Sequence, residues 1–307
     1  MKKIFFYFLF LGTWAITGCN NEDQKTDKDS INNTGKTDSG FDRMRSYFSK
    51  GNPLFNPDSS RGNLGKYPDL ADKTQYVKFD YAAFLLYIDS LDKVFKTPAT
   101  EIYLVYGAYT KEDVTRYLKT HITVPPLRSA DILNKPTLLV GYLDPSTSQM
   151  LYKDFATICP PPASCQTMFI FPQNQVATFI GNLQAGFNAD STINNYRTLY
   201  DLAVDPLKQL TKSVKFDIAG IKYLVDSLDK QNQVKTNQIY FTMAAYTAAD
   251  ADNYVKTHPG TTTGEIVNKT CLLFTYKNPA VEGFTYFDFG TICPPPASCQ
   301  TRFNYGN

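Results

Sequence analysis

Tryptophan occurs once, histidine twice and methionine five times among the 307 residues. Two histidines leave little from which to build an imidazole-rich metal or acid–base centre. No His-Glu-x-x-His, Gly-x-Ser-x-Gly or phosphate-cradling glycine loop occurs anywhere. Neither sign of charge dominates, with 31 basic residues against 29 acidic ones. Binding to phosphate backbones depends on a cationic excess, so nucleic acid is excluded as the expected partner. Beyond the N-terminus no stretch is long and apolar enough to span a bilayer as a helix. The missing motifs point away from an enzyme and towards a binding protein that uses no cofactor and no metal.

What is present begins at the N-terminus. Lys2 and Lys3 precede an apolar run from Ile4 to about Trp14, and Ile16-Thr17-Gly18-Cys19 follows. The run is too short for a permanent span and has the flanks of a cleaved signal. These last four residues resemble the lipobox of bacterial lipoproteins. The resemblance implies a signal peptide over residues 1–18, with Cys19 lipidated as the first mature residue. Several acyl chains on one cysteine anchor a protein stably. Lys2 and Lys3 are the only charged residues before Glu22, so cleavage leaves 29 basic and 29 acidic side chains. Residues 19–40 carry almost nothing apolar and cannot bury enough surface to offset their ordering entropy, which makes them a flexible tether. Glu22 and Asp23 resemble the surface-export signals of lipoproteins in Bacteroidota, and the chain has the look of duplicated lipoproteins from that group. That likeness is one of overall style and carries no catalytic motif. It implies a lipid-anchored protein of the cell envelope, at the outer membrane, on its periplasmic side or at the cell surface. The partners are then the membrane, through the lipid on Cys19, and an envelope protein or glycan.

The body of the chain occurs twice. Val77-Lys78-Phe79-Asp80 recurs as Val214-Lys215-Phe216-Asp217, and Asp89-Ser90-Leu91-Asp92-Lys93 as Asp226-Ser227-Leu228-Asp229-Lys230, both displaced by 137 residues. The same displacement carries Lys119-Thr120-His121 onto Lys256-Thr257-His258. Downstream it becomes 134, and upstream 132, where Phe55-Asn56 and Asp58-Ser59 match Phe187-Asn188 and Asp190-Ser191. A fixed-period match of this kind marks a structural repeat. The organisation expected is repeat unit one over residues 41–169, unit two over 170–303 and a tail over 304–307.

Within a unit, Asp80 or Asp217 is placed to cap a helix that buries Phe84, Ile88, Leu91 and Phe95, or Ile221, Val225 and Leu228. A strand follows over Ile102 to Tyr109 or Ile239 to Tyr246, apolar almost throughout and so central in a sheet. Thr110-x-x-Asp113 and Thr247-x-x-Asp250 fit a capping box for a second helix that ends near the histidine. Strands over Thr137 to Leu143 and Leu151 to Ile158, or Cys271 to Tyr276 and Thr285 to Ile292, close the unit. The order β-α-β-α-β-β predicts an α+β fold with helices packed on a mixed sheet. Its first β-α-β is expected to be a right-handed crossover between parallel strands, and its last two strands a hairpin.

Each unit ends in Cys-Pro-Pro-Pro-Ala-Ser-Cys, with Cys159 and Cys165 in one and Cys293 and Cys299 in the other. Cysteines outside the cytoplasm pair, so a small disulfide loop is expected at each strand end, worth roughly 2–2.5 kcal/mol on chain-entropy grounds. Three prolines would stiffen it into a projecting knuckle, either a binding edge or a strand-end staple. The spacing suits neither a zinc ribbon nor a Cys-x-x-Cys redox pair. Cys271 aligns with Thr137 and reads as a buried strand thiol.

His121 and His258 share one repeat position, as do Tyr109 and Tyr246, and these four are the candidate binding residues. For the histidines the simpler reading is a hydrogen bond to the last carbonyls of a helix. Asn56-x-Asp58-x-Ser60-x-Gly62 loosely resembles the start of a calcium loop, echoed by Asn188-x-Asp190-x-Thr192. Position twelve would be Tyr67 or Leu199 instead of glutamate, so Asx turns explain them better. A receptor site between the repeats for a small molecule or glycan is the alternative function. A hydrolase using two carboxylates, such as Asp154 with Asp288 or Asp69 with Asp201, ranks below it.

Overall fold

The computed structural model describes residues 74–96, 98–122, 127–159, 168–169, 189–196, 199, 211–257, 260–277, 284–288 and 290–293. All lie within one compact unit, Thr37–Asn307. The signal and tether (1–40, with Cys19), the Asn56 to Gly62 motif, Asp69, Asp201, His258, Cys165 and Cys299 fall outside the described residues.

The two copies build the same elements. Strand β1 (Tyr76–Asp80) runs into helix α1 (Tyr81–Phe95), because Asp80 leaves the strand extended and its Oδ1 accepts the N–H of Ala83 at 2.8 Å. Helix α1 buries Phe84, Ile88 and Leu91, the apolar stripe spaced at three and four residues, and ends at Lys96 in the left-handed region. Strand β2 (Glu101–Ala108) leads to helix α2 (Lys111–Thr120), which starts on the Thr110–Asp113 capping box and ends at His121. The short strand β3 (His121–Ile122) and one-turn helix α3 (Ser129–Ile132) precede strands β4 (Pro136–Leu143), β5 (Met150–Lys153) and β6 (Thr157–Cys159). Strand β7 (Met168–Phe169) pairs with β3, and helix α4 (Ala189–Tyr196) belongs to the lead-in of copy two.

In copy two the equivalents are β8 (Ser213–Asp217), α5 (Ile218–Asn232), β9 (Gln238–Ala245), α6 (Ala248–Thr257), α7 (Thr263–Ile266), β10 (Thr270–Tyr276), β11 (Thr285–Phe287) and β12 (Thr291–Cys293). The correspondence reaches the backbone. Lys96 and Gln233, then Asn134 and Asn268, take left-handed φ values at matching positions. The repeated Asp92 and Asp229 clasp the turn after their helices, accepting the N–H of Ala99 at 2.6 Å and of Thr236 at 2.8 Å.

The strands form two five-stranded sheets, β11-β10-β9-β1-β6 and β12-β8-β2-β4-β5. Three strands of each sheet come from one copy and two from the other, so the copies exchange their first and last strands reciprocally. This corrects the expected fold in three ways. Every pairing among the described residues is antiparallel, so neither sheet is mixed there. Helix α1 is not a crossover within a sheet, because β1 lies in the first sheet and β2 in the second. The terminal hairpin is also split: β5 stays beside β4 while β6 crosses to pair with β1. The result is an α+β fold of two antiparallel sheets and helices, built from two β-α-β-α-β-β-like units that share strands. Matching backbone bonds stitch the exchange, Tyr81 N–H to Asn237 O and Ile218 N–H to Thr100 O, both at 2.9 Å.

The closed Cys-x5-Cys loop is likewise corrected as a defining element of this fold. No disulfide joins two described cysteines, and residues 160–167 and 294–307 lie outside the described residues. Cys159 and Cys293 lie buried at the ends of β6 and β12. Hydrogen-bonded ladders and one shared core hold the architecture.

That core spans both copies. Phe79 of β1 and Phe216 of β8, equivalent by repeat, both pack on Phe241 of β9, at 5.9 and 5.1 Å between ring centroids. Phe216 and Phe241 belong to different sheets, so this contact joins them. Tyr87 of α1 meets Phe155, which meets Phe79 in turn. The opposite face of the second sheet has its own small cluster, Tyr103, Val105 and Leu139, capped by Ile193 of α4.

Candidate functional site

The polar residues of copy one converge where the N-terminus of α2, the start of β4 and the turn after β5 meet. Asp113, at the third position of α2, accepts from the N–H and hydroxyl of Thr110, both at 2.9 Å, as the capping box requires. One turn on, Arg116 projects from the same face, and its Nη2 lies 3.1 Å from Asp113 Oδ1 and 2.8 Å from Asp154 Oδ2. Thr192 of α4 donates to Asp113 Oδ2 at 2.7 Å. Tyr109, the residue after β2, donates to Asp154 Oδ1 at 3.3 Å and accepts from the Thr137 hydroxyl at 3.0 Å. Two carboxylates thus share one guanidinium inside the fold. Burial holds the Asp154 carboxyl above its usual range, against the opposing pull of Arg116. Burial raises the Tyr109 phenol well above its ordinary value, and the neighbouring Asp154 charge adds to this.

His121 joins the cluster through Tyr117, whose ring stacks on the imidazole at 3.7 Å and meets Tyr109 edge-on at 5.2 Å. Its Nδ1 lies 3.0 Å from the carbonyl of Tyr117, in the last turn of α2, and its Nε2 lies 3.1 Å from that of Ala156. Two carbonyls facing both nitrogens favour the doubly protonated ring. Burial opposes this more strongly, with the positive charges of Lys78 and Arg116 adding to it, and pushes the group down to about 4. A histidine depressed from 6.5 to about 4 is neutral in the fold while the unfolded chain still binds its proton. Stability from this group is therefore complete above pH 6.5 and is lost as pH falls towards 4. At pH 5 the expected loss is on the order of 2 kcal/mol. Urea unfolding of the wild type and of His121→Gln at pH 7 and pH 5 checks this. The wild type should lose more on acidification than the variant, and equal losses would contradict it.

Copy two repeats the frame with different contents. Tyr246 donates to both oxygens of Asp288, at 3.1 and 2.9 Å, and Thr247 with Asp250 forms the matching cap. Asn253 stands where copy one has Arg116, and Cys271 where it has Thr137. Cys271 is a free, fully buried thiol. Burial and the adjacent charges of Asp288 and Asp250 raise it well above the ordinary thiol range. It should resist a neutral-pH thiol reagent in the native protein and react only on unfolding, as mass spectrometry of the labelled peptide would show. Labelling of native protein within minutes would refute this.

Of the sequence candidates, Tyr109 and His121 come together in copy one, and Tyr246 takes the position equivalent to Tyr109 in copy two. Asp154 and Asp288, considered above as a carboxylate pair, are each engaged by their own tyrosine. Between the copies lies the packed aromatic core described above. Among the described residues no group of three or more His, Cys, Asp or Glu side chains could hold a metal ion. No described helix is long and apolar enough to cross a membrane. No sequence signal joins Thr192 of α4 to Asp113, which lies 79 residues away. Arg116 carries no repeat signal, because the equivalent position 253 is asparagine. No family model, curated protein or solved structure matches this chain.

Proposed function

We propose that this is a lipid-anchored, non-enzymatic binding protein of the cell envelope, held at the outer membrane through Cys19 and presenting two equivalent edges to an envelope protein or glycan. One observation supports this over an enzyme: the groups that catalysis would recruit are committed to internal contacts. His121 has a backbone carbonyl at each ring nitrogen, and Asp154 is held by Arg116 and Tyr109. A catalytic acid, base or nucleophile needs access to substrate. The strands β6 and β12 occupy equivalent edges of the two sheets, and each leads directly into a Pro-Pro-Pro segment. Two equivalent edges on one body would raise avidity for a repeated target.

Fractionation and crosslinking test the proposal together. The wild type should appear in the outer-membrane fraction, and Cys19→Ser should appear in the soluble fraction with the acyl mass lost. In-cell crosslinking should capture a partner whose yield drops when Pro160–Pro162 and Pro294–Pro296 are all replaced by serine. Unchanged membrane association of Cys19→Ser sinks the anchor, and an unchanged set of crosslinked partners sinks the edge contact.

A further inference from the structure

We propose that residues 56–63 dock on the outward face of the first sheet, as α4 docks on the outward face of the second. That first face carries Tyr240, Thr242 and Ala244 of β9 and Leu273 of β10, which alternate with the core-facing Phe241 and Phe274. All four are buried. Among the described residues Phe284 reaches Tyr240, at 5.6 Å, but no helix packs over β9 as α4 packs over β2. The described chain begins at Thr74, two residues before β1 of this same sheet, so the segment just upstream is the covalently adjacent candidate.

The repeat supplies the register. Asn188 to Asn195 corresponds to Asn56 to Asn63, with Asp190-Ser191 matching Asp58-Ser59. In α4, Asn195 Nδ2 donates to the carbonyls of Ala108 and Tyr109, at 3.0 and 3.3 Å, and to Asn134 Oδ1 at 3.3 Å. The residues equivalent to those acceptors are Ala245, Tyr246 and Asn268. Asn268 holds the same left-handed backbone as Asn134, φ 63° against 61°. Asn63 is therefore matched to the same set of acceptors. Thr192 donates its hydroxyl to Asp113, and Ser60 carries a hydroxyl at the equivalent place for Asp250.

One pair of differences argues more strongly than the identities. A β-carbon on Gly107 would lie 2.8 Å from the γ-methyl of Thr192, so the second-sheet contact tolerates only glycine beside threonine. In the first sheet the residue equivalent to Gly107 is Ala244, which has that β-carbon. The residue equivalent to Thr192 is Ser60, which lacks the γ-methyl. One carbon has been added on the sheet and one removed from the segment. Similarly, the apolar pair Ile193 and Val105 becomes the polar pair Arg61 and Thr242. Complementary changes at both positions are what a physical contact imposes, and the docking is independent of whether Cys19 is lipidated.

The test is a double-mutant cycle on the full-length protein in detergent. Ser60→Thr should lower the thermal midpoint, because it restores the methyl against Ala244. Adding Ala244→Gly should raise it again, although Ala244→Gly alone lowers it by weakening the strand. Strictly additive losses would overturn the proposal. Independently of these variants, trypsin should cut after Arg61 on the order of tenfold more slowly than after Lys25, Lys28 or Lys36 in the tether. Asn63→Ala should abolish most of that protection. Cleavage of the wild type at Arg61 as fast as in the tether would overturn the docking even if every variant failed to fold.

Discussion

Replacing Arg116 with alanine will cost about 3–5 kcal/mol of folding stability, the loss expected when a buried ion pair is broken by removing one partner. The guanidinium is only 12% exposed, and Asp113 and Asp154 less so. Its removal takes from the two carboxylates beside Tyr109 the one cation paired with them among the described residues. The loss should shrink as pH falls, because burial holds Asp154 above its ordinary value and it takes up a proton. Urea unfolding at pH 7 and pH 4.5 measures both effects as a change in midpoint. Asn253→Ala, at the equivalent place in copy two, should cost no more than about 1 kcal/mol. Equal costs at the two positions would show that Arg116 does not carry the charge balance of copy one.

Phe241→Ala will cost about as much, roughly 3–5 kcal/mol, by opening a cavity that the surroundings fill only in part. Phe241 is fully buried and touches Phe79, Phe216 and Phe274, one of which, Phe216, lies in the other sheet. Because each sheet is built from both copies, the damage cannot stay in one half. The variant should unfold in one transition at a lower denaturant concentration, with the two sheets losing amide protection together. Two separate transitions, with the second sheet unaffected, would contradict the strand exchange. Leu104, the residue equivalent to Phe241 in copy one, is also fully buried, and Leu104→Ala should give a similar loss.

The local elements were legible because their causes are local. Asp80 and Asp217 cap helices because a carboxylate one residue before the first turn can reach the N–H of the third residue on. The apolar spacing of Phe84, Ile88 and Leu91 marks the buried face of α1 for a similar reason. The candidate residues were legible only as pairs. His121 with His258 and Tyr109 with Tyr246 stand out because the chain repeats them, while Arg116 does not repeat. The cluster that Arg116 completes depends on Thr192 and Asp154, which no sequence interval connects to it.

The chain by itself therefore determined the duplication, the order of elements, the caps and which face of each helix is apolar. All of these follow from interactions within a few residues or from identity between the copies. Only the tertiary structure decided which strand lies beside which. Val77-Lys78-Phe79-Asp80 and Val214-Lys215-Phe216-Asp217 are identical, with the same apolar pattern and the same donors and acceptors. Pairing β1 with its own β2 or with β9 of the other copy satisfies that local pattern equally well. What separates the two is the shared core: exchange brings Phe79, Phe216 and Phe241 into one aromatic contact across the copies, and that gain exists only once both halves are present.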